Sequence, residues 1–135
     1  MIKIAGWIMV VYAAAHTLGA LFVVGAARHA GAWFSGELWH DDLADMSPAN
    51  SALWLSLDSF GPPVVVIGLI VLWMDRRGIT PPPFIAWTLG VLTVVDAVIL
   101  FLTPWPILLV AIVLLLVGAR RATAAGQPEA EGARS

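Results

Sequence analysis

Four long apolar stretches dominate this sequence and limit the folds that it can adopt. A helix needs about 20 mostly apolar residues to cross a bilayer, and each stretch reaches or approaches that length: residues 4–26, 52–74, 83–102 and 106–119. Only 12% of the residues are charged, against about 25% in an ordinary soluble domain. The sequence therefore predicts an all-α integral membrane protein with four transmembrane helices.

The connections between these stretches predict an antiparallel bundle. Residues 75–78 and 103–106 read as short turns, which join antiparallel neighbouring helices. The longer connection, residues 28–45, is polar and aromatic, and it predicts an extracytoplasmic interfacial helix or a re-entrant cap between helices one and two. The predicted domains are a four-helix membrane domain over 1–121 and a disordered cytoplasmic tail over 122–135.

Local signals predict where several helices begin and end. Ser47 has the side chain of an N-cap, and Pro48 suits the first helical position. Gly78 suits the position just after a helix, and the three prolines 81–83 can start a helix because they need no N–H donor. In helix one, the small residues Ala15 and Gly19 are spaced for close approach of a second helix.

The charge distribution predicts orientation and partners. Basic residues in short loops mark the cytoplasmic side, and here they group at one side as Lys3, Arg76, Arg77, Arg120 and Arg121. We therefore expect a multi-pass protein of the cell membrane with both termini cytoplasmic and membrane lipid as a partner. The net charge of −2 gives no indication of nucleic-acid binding, which needs a basic surface. The absence of cysteine excludes disulfides and thiolate chemistry.

Three ionisable residues, His16, Asp58 and Asp96, lie inside the apolar stretches. A charge at the bilayer centre costs about 2.5–3.5 kcal/mol on insertion scales, so such residues usually face a bundle interior and mark functional sites. The predicted topology places all three within reach of one cavity in the outer half of the membrane. The cap residues Glu37, His40, Asp41 and Asp42 would close this cavity from above.

Asp58 has the most informative context, because Gly61, Pro62 and Pro63 follow it. Proline cannot donate to the carbonyl four residues earlier, so Pro62 and Pro63 leave two carbonyls near the Asp58 carboxylate without partners. Such irregular backbone is tolerated inside a membrane only where it is buried in protein or lines a wet cavity. A ligand, proton or cation site is one interpretation, and a structural kink is the other.

The remaining polar residues leave alternatives open. Asp96 suits either catalysis or a structural hydrogen bond between helices, and His16 suits either a proton carrier or packing. Glu37 and His40 lie one turn apart, but one such pair is too few ligands for a metal site. We therefore predict no metal and no cofactor, and His40 is an acid or base candidate.

Several sequence stretches resemble an uncharacterised family of small four-helix integral membrane proteins found mainly in actinobacteria, a domain of unknown function. The stretches are AAHTLGAL, RHAGAWFSGELW, DLADMSP, SLDSFGPP and DRRGITPPPFIAW. The resemblance implies the four-helix topology over most of the chain up to Arg121, and it implies no activity. In size and topology the chain is also similar to DoxX-like proteins and to small multidrug transporters, although the latter carry a glutamate in helix one where this chain has His16.

Together these features predict a membrane-embedded pocket that binds a lipophilic small molecule and carries out acid–base chemistry on it, of isomerase, cyclase or hydrolase type. The predicted catalytic residues are Asp58, His16, Asp96 and His40. The predicted substrate contacts are Trp39, Trp54, Glu37, Asp41, Asp42, Ser59 and Tyr12, with cation–π contacts from the tryptophans. The alternatives are a homo-oligomeric proton-coupled transporter or channel subunit that uses the same residues, and a structural or accessory membrane protein.

Overall fold

The computed structural model describes residues 1–101 and 103–125, and within them the secondary structure is helical with no strand. This confirms the all-α fold class. The elements in chain order are α1 (Ile2–Leu18), a π-helical turn (Gly19–Val23), a 3-10 turn (Ala26–His29), α2 (Ala30–Phe34), a 3-10 turn (Glu37–His40), α3 (Pro48–Leu55), α4 (Gly61–Arg76), α5 (Pro83–Ile99) and α6 (Trp105–Ala125).

Within the described residues, two helical segments are long and apolar enough to cross a bilayer. Ile2–Val23 has 22 residues and a mean hydropathy of 1.6, and Trp105–Ala125 has 21 residues and a mean hydropathy of 2.1. The third predicted span is the shorter apolar helix α5, Pro83–Ile99. The second predicted span, residues 52–74, is not one helix, because the chain leaves the helical conformation between α3 and α4.

Prolines explain why α4 begins where it does. We expected Pro62 and Pro63 to kink a continuous helix, but they lie in the first turn of α4, immediately after Gly61. The N–H groups of a first turn have no partner within the helix, so proline is tolerated there and costs about 3 kcal/mol in a helix interior. The chain therefore ends one helix and starts another.

The predicted helix start at Ser47 and Pro48 and the predicted helix end at Gly78 are confirmed. The Ser47 side chain accepts a hydrogen bond from the Asn50 N–H, with Pro48 in the first turn of α3. Gly78 has a φ of +67°; its N–H donates to the Asp75 carbonyl, and the following N–H of Ile79 donates to the Met74 carbonyl. This pair of bonds is the Schellman ending of a helix.

The chain divides into two compact units, which we call the terminal unit and the central unit. The terminal unit contains Met1–Val10 and the described residues from Ile67 onward, and the central unit is Val11–Val66. In the terminal unit, α5 packs against α6. The fully buried apolar residues of this unit include Met9, Val71 and Leu115.

Glycines allow α1 to approach α4 closely in the terminal unit. A Cβ atom built on Gly68 would lie 2.8 Å from Val10 Cγ2 and 3.0 Å from the Gly6 carbonyl oxygen. The predicted close approach at Ala15 and Gly19 does not occur among the described residues: a Cβ on Gly19 meets nothing within 4 Å, and Ala15 is exposed. The small residues that α1 uses are therefore different from those we predicted.

The C-terminal boundary also differs from the prediction. Helix α6 continues to Ala125, so residues 122–125 of the predicted disordered tail are helical. The rest of that tail, residues 126–135, lies outside the described residues.

Candidate functional site

The candidate site is the five-residue break between α3 and α4, Ser56–Phe60, in the central unit. The backbone N–H of Asp58 donates to the Leu53 carbonyl at 3.0 Å. Ser56 is fully buried, and its hydroxyl donates to the Ala52 carbonyl at 2.6 Å. These bonds provide hydrogen-bond donors for carbonyl groups at the end of α3. The Asp58 carboxylate takes no part in them: Asp58 is exposed, and its carboxylate has no hydrogen-bond partner among the described residues.

Ser59 closes the break on its other side. Its hydroxyl donates to the Ser56 carbonyl at 2.7 Å and accepts from the Gly61 N–H at 3.2 Å. The Ser59 hydroxyl thus holds the break in shape, and its predicted role as a substrate contact stays a prediction. Ser59 therefore positions the segment that carries Asp58.

Phe60 connects the break to α1. Its ring lies 4.4 Å from the His16 ring, centroid to centroid, and it stacks against Tyr12 at 6.0 Å with an interplanar angle of 23°. Two predicted site residues of α1 thus contact the last residue of the break. Phe60 was not among the predicted site residues, and the only sequence signal for it is its place directly before the Gly-Pro-Pro sequence.

Two buried polar atoms lie on α1 next to this contact. His16 Nε2 and Thr17 Oγ1 are both buried, and neither has a hydrogen-bond partner among the described residues. Gly61 makes the close packing possible, because a Cβ there would collide with Thr17 Oγ1 and lie 3.1 Å from the Ala13 carbonyl oxygen. A buried polar group without a partner costs about 1–3 kcal/mol, so a water or a ligand group that bonded to these atoms would be favoured.

The acidic cap segment is bonded to the start of α3. Asp41 Oδ2 accepts from the Ser47 hydroxyl at 2.9 Å and from the Ser47 N–H at 3.2 Å. The hydrogen bond from the Ser47 side chain is the main cause that lowers the pKa of Asp41 below its usual 3.8; partial burial opposes it, and Asn50 and the Ser47 N–H add to it. The Trp33 indole N–H donates to the Ala49 carbonyl at 2.8 Å, and this bond joins α2 to the start of α3.

The other predicted cap residues lie at the surface of the central unit. Glu37 and His40 are exposed, and Asp42 accepts a hydrogen bond from the Ala44 N–H within its own turn. Trp39 and Trp54 are 85% and 49% exposed. Among the residues that the structure describes, no group of three His, Cys, Asp or Glu side chains could hold a metal ion. The predicted roles of these cap residues and of Trp54 in catalysis and substrate contact stay predictions.

Asp96 belongs to the terminal unit. Its Oδ2 lies 3.0 Å from the Thr103 hydroxyl, which is also 2.9 Å from the Leu100 carbonyl oxygen. This arrangement ties the end of α5 to the turn before α6. The structure therefore brings His16, Tyr12 and the Asp58 segment together in one unit and gives Asp96 a local partner. Its predicted convergence with His16 and Asp58 stays a prediction.

Comparison of the chain with protein-family models, with curated proteins and with solved structures finds no match. The functional argument therefore starts from the geometry of the central unit.

Proposed function

We propose that this chain is a small multi-pass membrane protein that binds a lipophilic molecule at the break between α3 and α4. Asp58 would exchange a proton with the polar group of that molecule. His16 would provide a second group for hydrogen bonding or proton exchange. The reaction would be acid–base chemistry of isomerase, cyclase or hydrolase type.

A four-span arrangement is part of this proposal, and it requires the second span to extend beyond α4. At 1.5 Å per residue, the 16 residues of α4 extend about 24 Å, which is shorter than the ~30 Å hydrocarbon core. In this arrangement the break and α3 would supply the remaining depth, so irregular backbone would lie inside the membrane. Irregular backbone is tolerated there only in protein or beside a wet cavity, and the two serines of the break provide the local bonds that it needs.

One observation carries the functional proposal: the His16 ring contacts Phe60, which lies in the same five-residue break as Asp58. Neither the Asp58 carboxylate nor His16 Nε2 is used for hydrogen bonding within the described residues. Two groups that can exchange protons are thus associated with one segment and are left available. A ligand site of this kind combines apolar walls with a few polar groups, and Phe60 and Tyr12 provide aromatic surface.

The experiment is to extract the lipophilic molecules that co-purify with the protein in bilayer nanodiscs and to identify them by mass spectrometry. Asp58→Asn is the test variant, and Asp45→Asn is the matched control, because it makes the same chemical change in the exposed cap segment. We expect a molecule that is enriched with the wild type and with Asp45→Asn, and depleted with Asp58→Asn. The same extract from all three proteins would refute the site.

A second measurement on the same proteins distinguishes a binder or enzyme from a proton-coupled transporter. Reconstituted in vesicles with a trapped pH-sensitive dye, a proton-coupled transporter or channel subunit would carry protons, and Asp58→Asn would stop the flux. A binder or enzyme would leave the vesicles as tight as protein-free ones. Proton flux by the wild type would therefore replace the proposed function with the transporter.

A further inference from the structure

Three helix ends meet in the terminal unit, and they carry most of the basic residues of the chain. A Cβ on Gly118 of α6 would lie 2.9 Å from Ile2 Cγ1, and a Cβ on Gly6 of α1 would lie 2.8 Å from Leu72 Cγ of α4. The start of α1 therefore packs against the ends of α4 and α6. Five of the seven Lys and Arg residues lie at this place, which we call the basic end: Lys3, Arg76, Arg77, Arg120 and Arg121.

Open clefts separate these basic side chains. A cleft of about 230 Å³ is lined by Lys3, Trp7, Leu72, Asp75 and Arg76. A second cleft, of about 260 Å³, is lined by Met1, Ile2, Asp75, Gly118 and Arg121. A third, of about 480 Å³, includes Arg120, Thr80 and Thr123 beside the prolines at 81–83. Each cleft has a cationic side chain in its wall, and Asp75 is the carboxylate that the first two share.

Exposed tryptophans accompany the basic residues. Trp7, which lines the first cleft, and Trp73 are 46% and 53% exposed, and the Arg77 guanidinium lies 5.6 Å from the centroid of the Trp73 ring. Tryptophan concentrates at the headgroup level of membranes, and basic pockets between membrane helices bind anionic headgroups. Charge alone would suit any anion, but tryptophan and apolar cleft walls favour an anion that carries acyl chains.

We infer that the basic end binds the phosphate headgroups of anionic phospholipids in these three clefts, which lie between α1, α4 and α6 and beside the start of α5. This inference rests on the membrane location in the proposed function and is independent of the chemistry at Asp58. Each Lys or Arg near the surface strengthens the attraction to anionic lipid about fivefold. Removing two arginines therefore weakens it about 25-fold at low ionic strength, and added salt reduces the difference by screening.

The test is native mass spectrometry of the detergent-purified full chain, titrated with phosphatidylglycerol, with phosphatidylcholine and with glycerol 3-phosphate. The double variant Arg120→Gln/Arg121→Gln removes two charges, and Arg28→Gln removes one charge from the central unit as the control. We expect the wild type and Arg28→Gln to prefer phosphatidylglycerol by more than tenfold, and the preference of the double variant to be about 25-fold smaller. Glycerol 3-phosphate should bind weakly to all three.

Three results would overturn the inference: equal binding of the two phospholipids by the wild type, full preference in the double variant, or glycerol 3-phosphate binding as tightly as phosphatidylglycerol. An alkaline wash of the source membranes distinguishes failure of the headgroup site from failure of the proposed function, because it tests whether the protein is integral to the membrane. A protein released by the wash is not an integral membrane protein, and both proposals then fall. A protein that is retained but has no lipid preference refutes only the headgroup site.

Discussion

Replacing Gly68 with alanine tests the close approach of α1 and α4 in the terminal unit. The new Cβ would lie 2.8 Å from Val10 Cγ2 and 3.0 Å from the Gly6 carbonyl oxygen. Real Cβ contacts are longer than this, and the backbone oxygen cannot rotate away. Overpacking of this kind costs about 1–3 kcal/mol, while alanine in a helix interior is favoured over glycine by about 1 kcal/mol. The net expectation is a destabilisation of about 0–2 kcal/mol.

Gly90→Ala is the matched control. It also lies inside a helix, but its Cβ would meet Ile112 Cγ2 at an ordinary 3.6 Å. Only the helix-propensity gain of about 1 kcal/mol applies there, so Gly90→Ala should be the more stable variant by about 1–3 kcal/mol. Equilibrium unfolding in mixed micelles, followed by circular dichroism, measures both. A Gly68→Ala protein as stable as Gly90→Ala would refute the packing of α1 on α4.

Two further predictions concern the cap segment. The lowered pKa of Asp41 means that its contribution to stability is complete above the unfolded value of 3.8 and is lost as the pH falls through the lower folded value. Asp41→Asn should therefore flatten the acid limb of the pH–stability profile, and an unchanged limb would show that the bonds to Ser47 contribute nothing. Trp33→Phe removes the hydrogen bond to the Ala49 carbonyl and should cost about 0.5–1.5 kcal/mol in the same unfolding assay. The exposed Trp39→Phe should stay within about 0.5 kcal/mol of wild type, and equal losses in both variants would contradict the role of that bond.

Local chemistry explains which parts of the fold could be predicted from the sequence. The N-cap at Ser47, the Schellman ending at Gly78 and the proline start at Pro83 depend on a few neighbouring residues, and all three are present. The break near Asp58 was also expected from its prolines. The form of the break was not predicted. Proline is tolerated far better in the first turn of a helix than in its interior, so the structure has two helices where a kinked helix was expected.

Packing between distant segments could not be predicted. Helix α1 is mostly apolar and has no distinct polar face, so its sequence does not show which face meets a neighbour. Ala15 and Gly19 were predicted for close approach, whereas the structure uses Gly6 in the terminal unit and Ala13 against Gly61 in the central unit. The contact between His16 and Phe60 depends on the same rotation of α1, and for that reason Phe60 was missed.

The measurement that tests the central claim most directly is carbodiimide labelling of Asp58 in native membranes. Dicyclohexylcarbodiimide partitions into the bilayer and modifies carboxyl groups there, whereas a water-soluble carbodiimide modifies those in contact with bulk water. If the break lies within the membrane, peptide mapping will find Asp58 labelled by the first reagent only and Asp45 of the cap by the second. Labelling of Asp58 by the water-soluble reagent, to the same extent as Asp45, would contradict an intramembrane site.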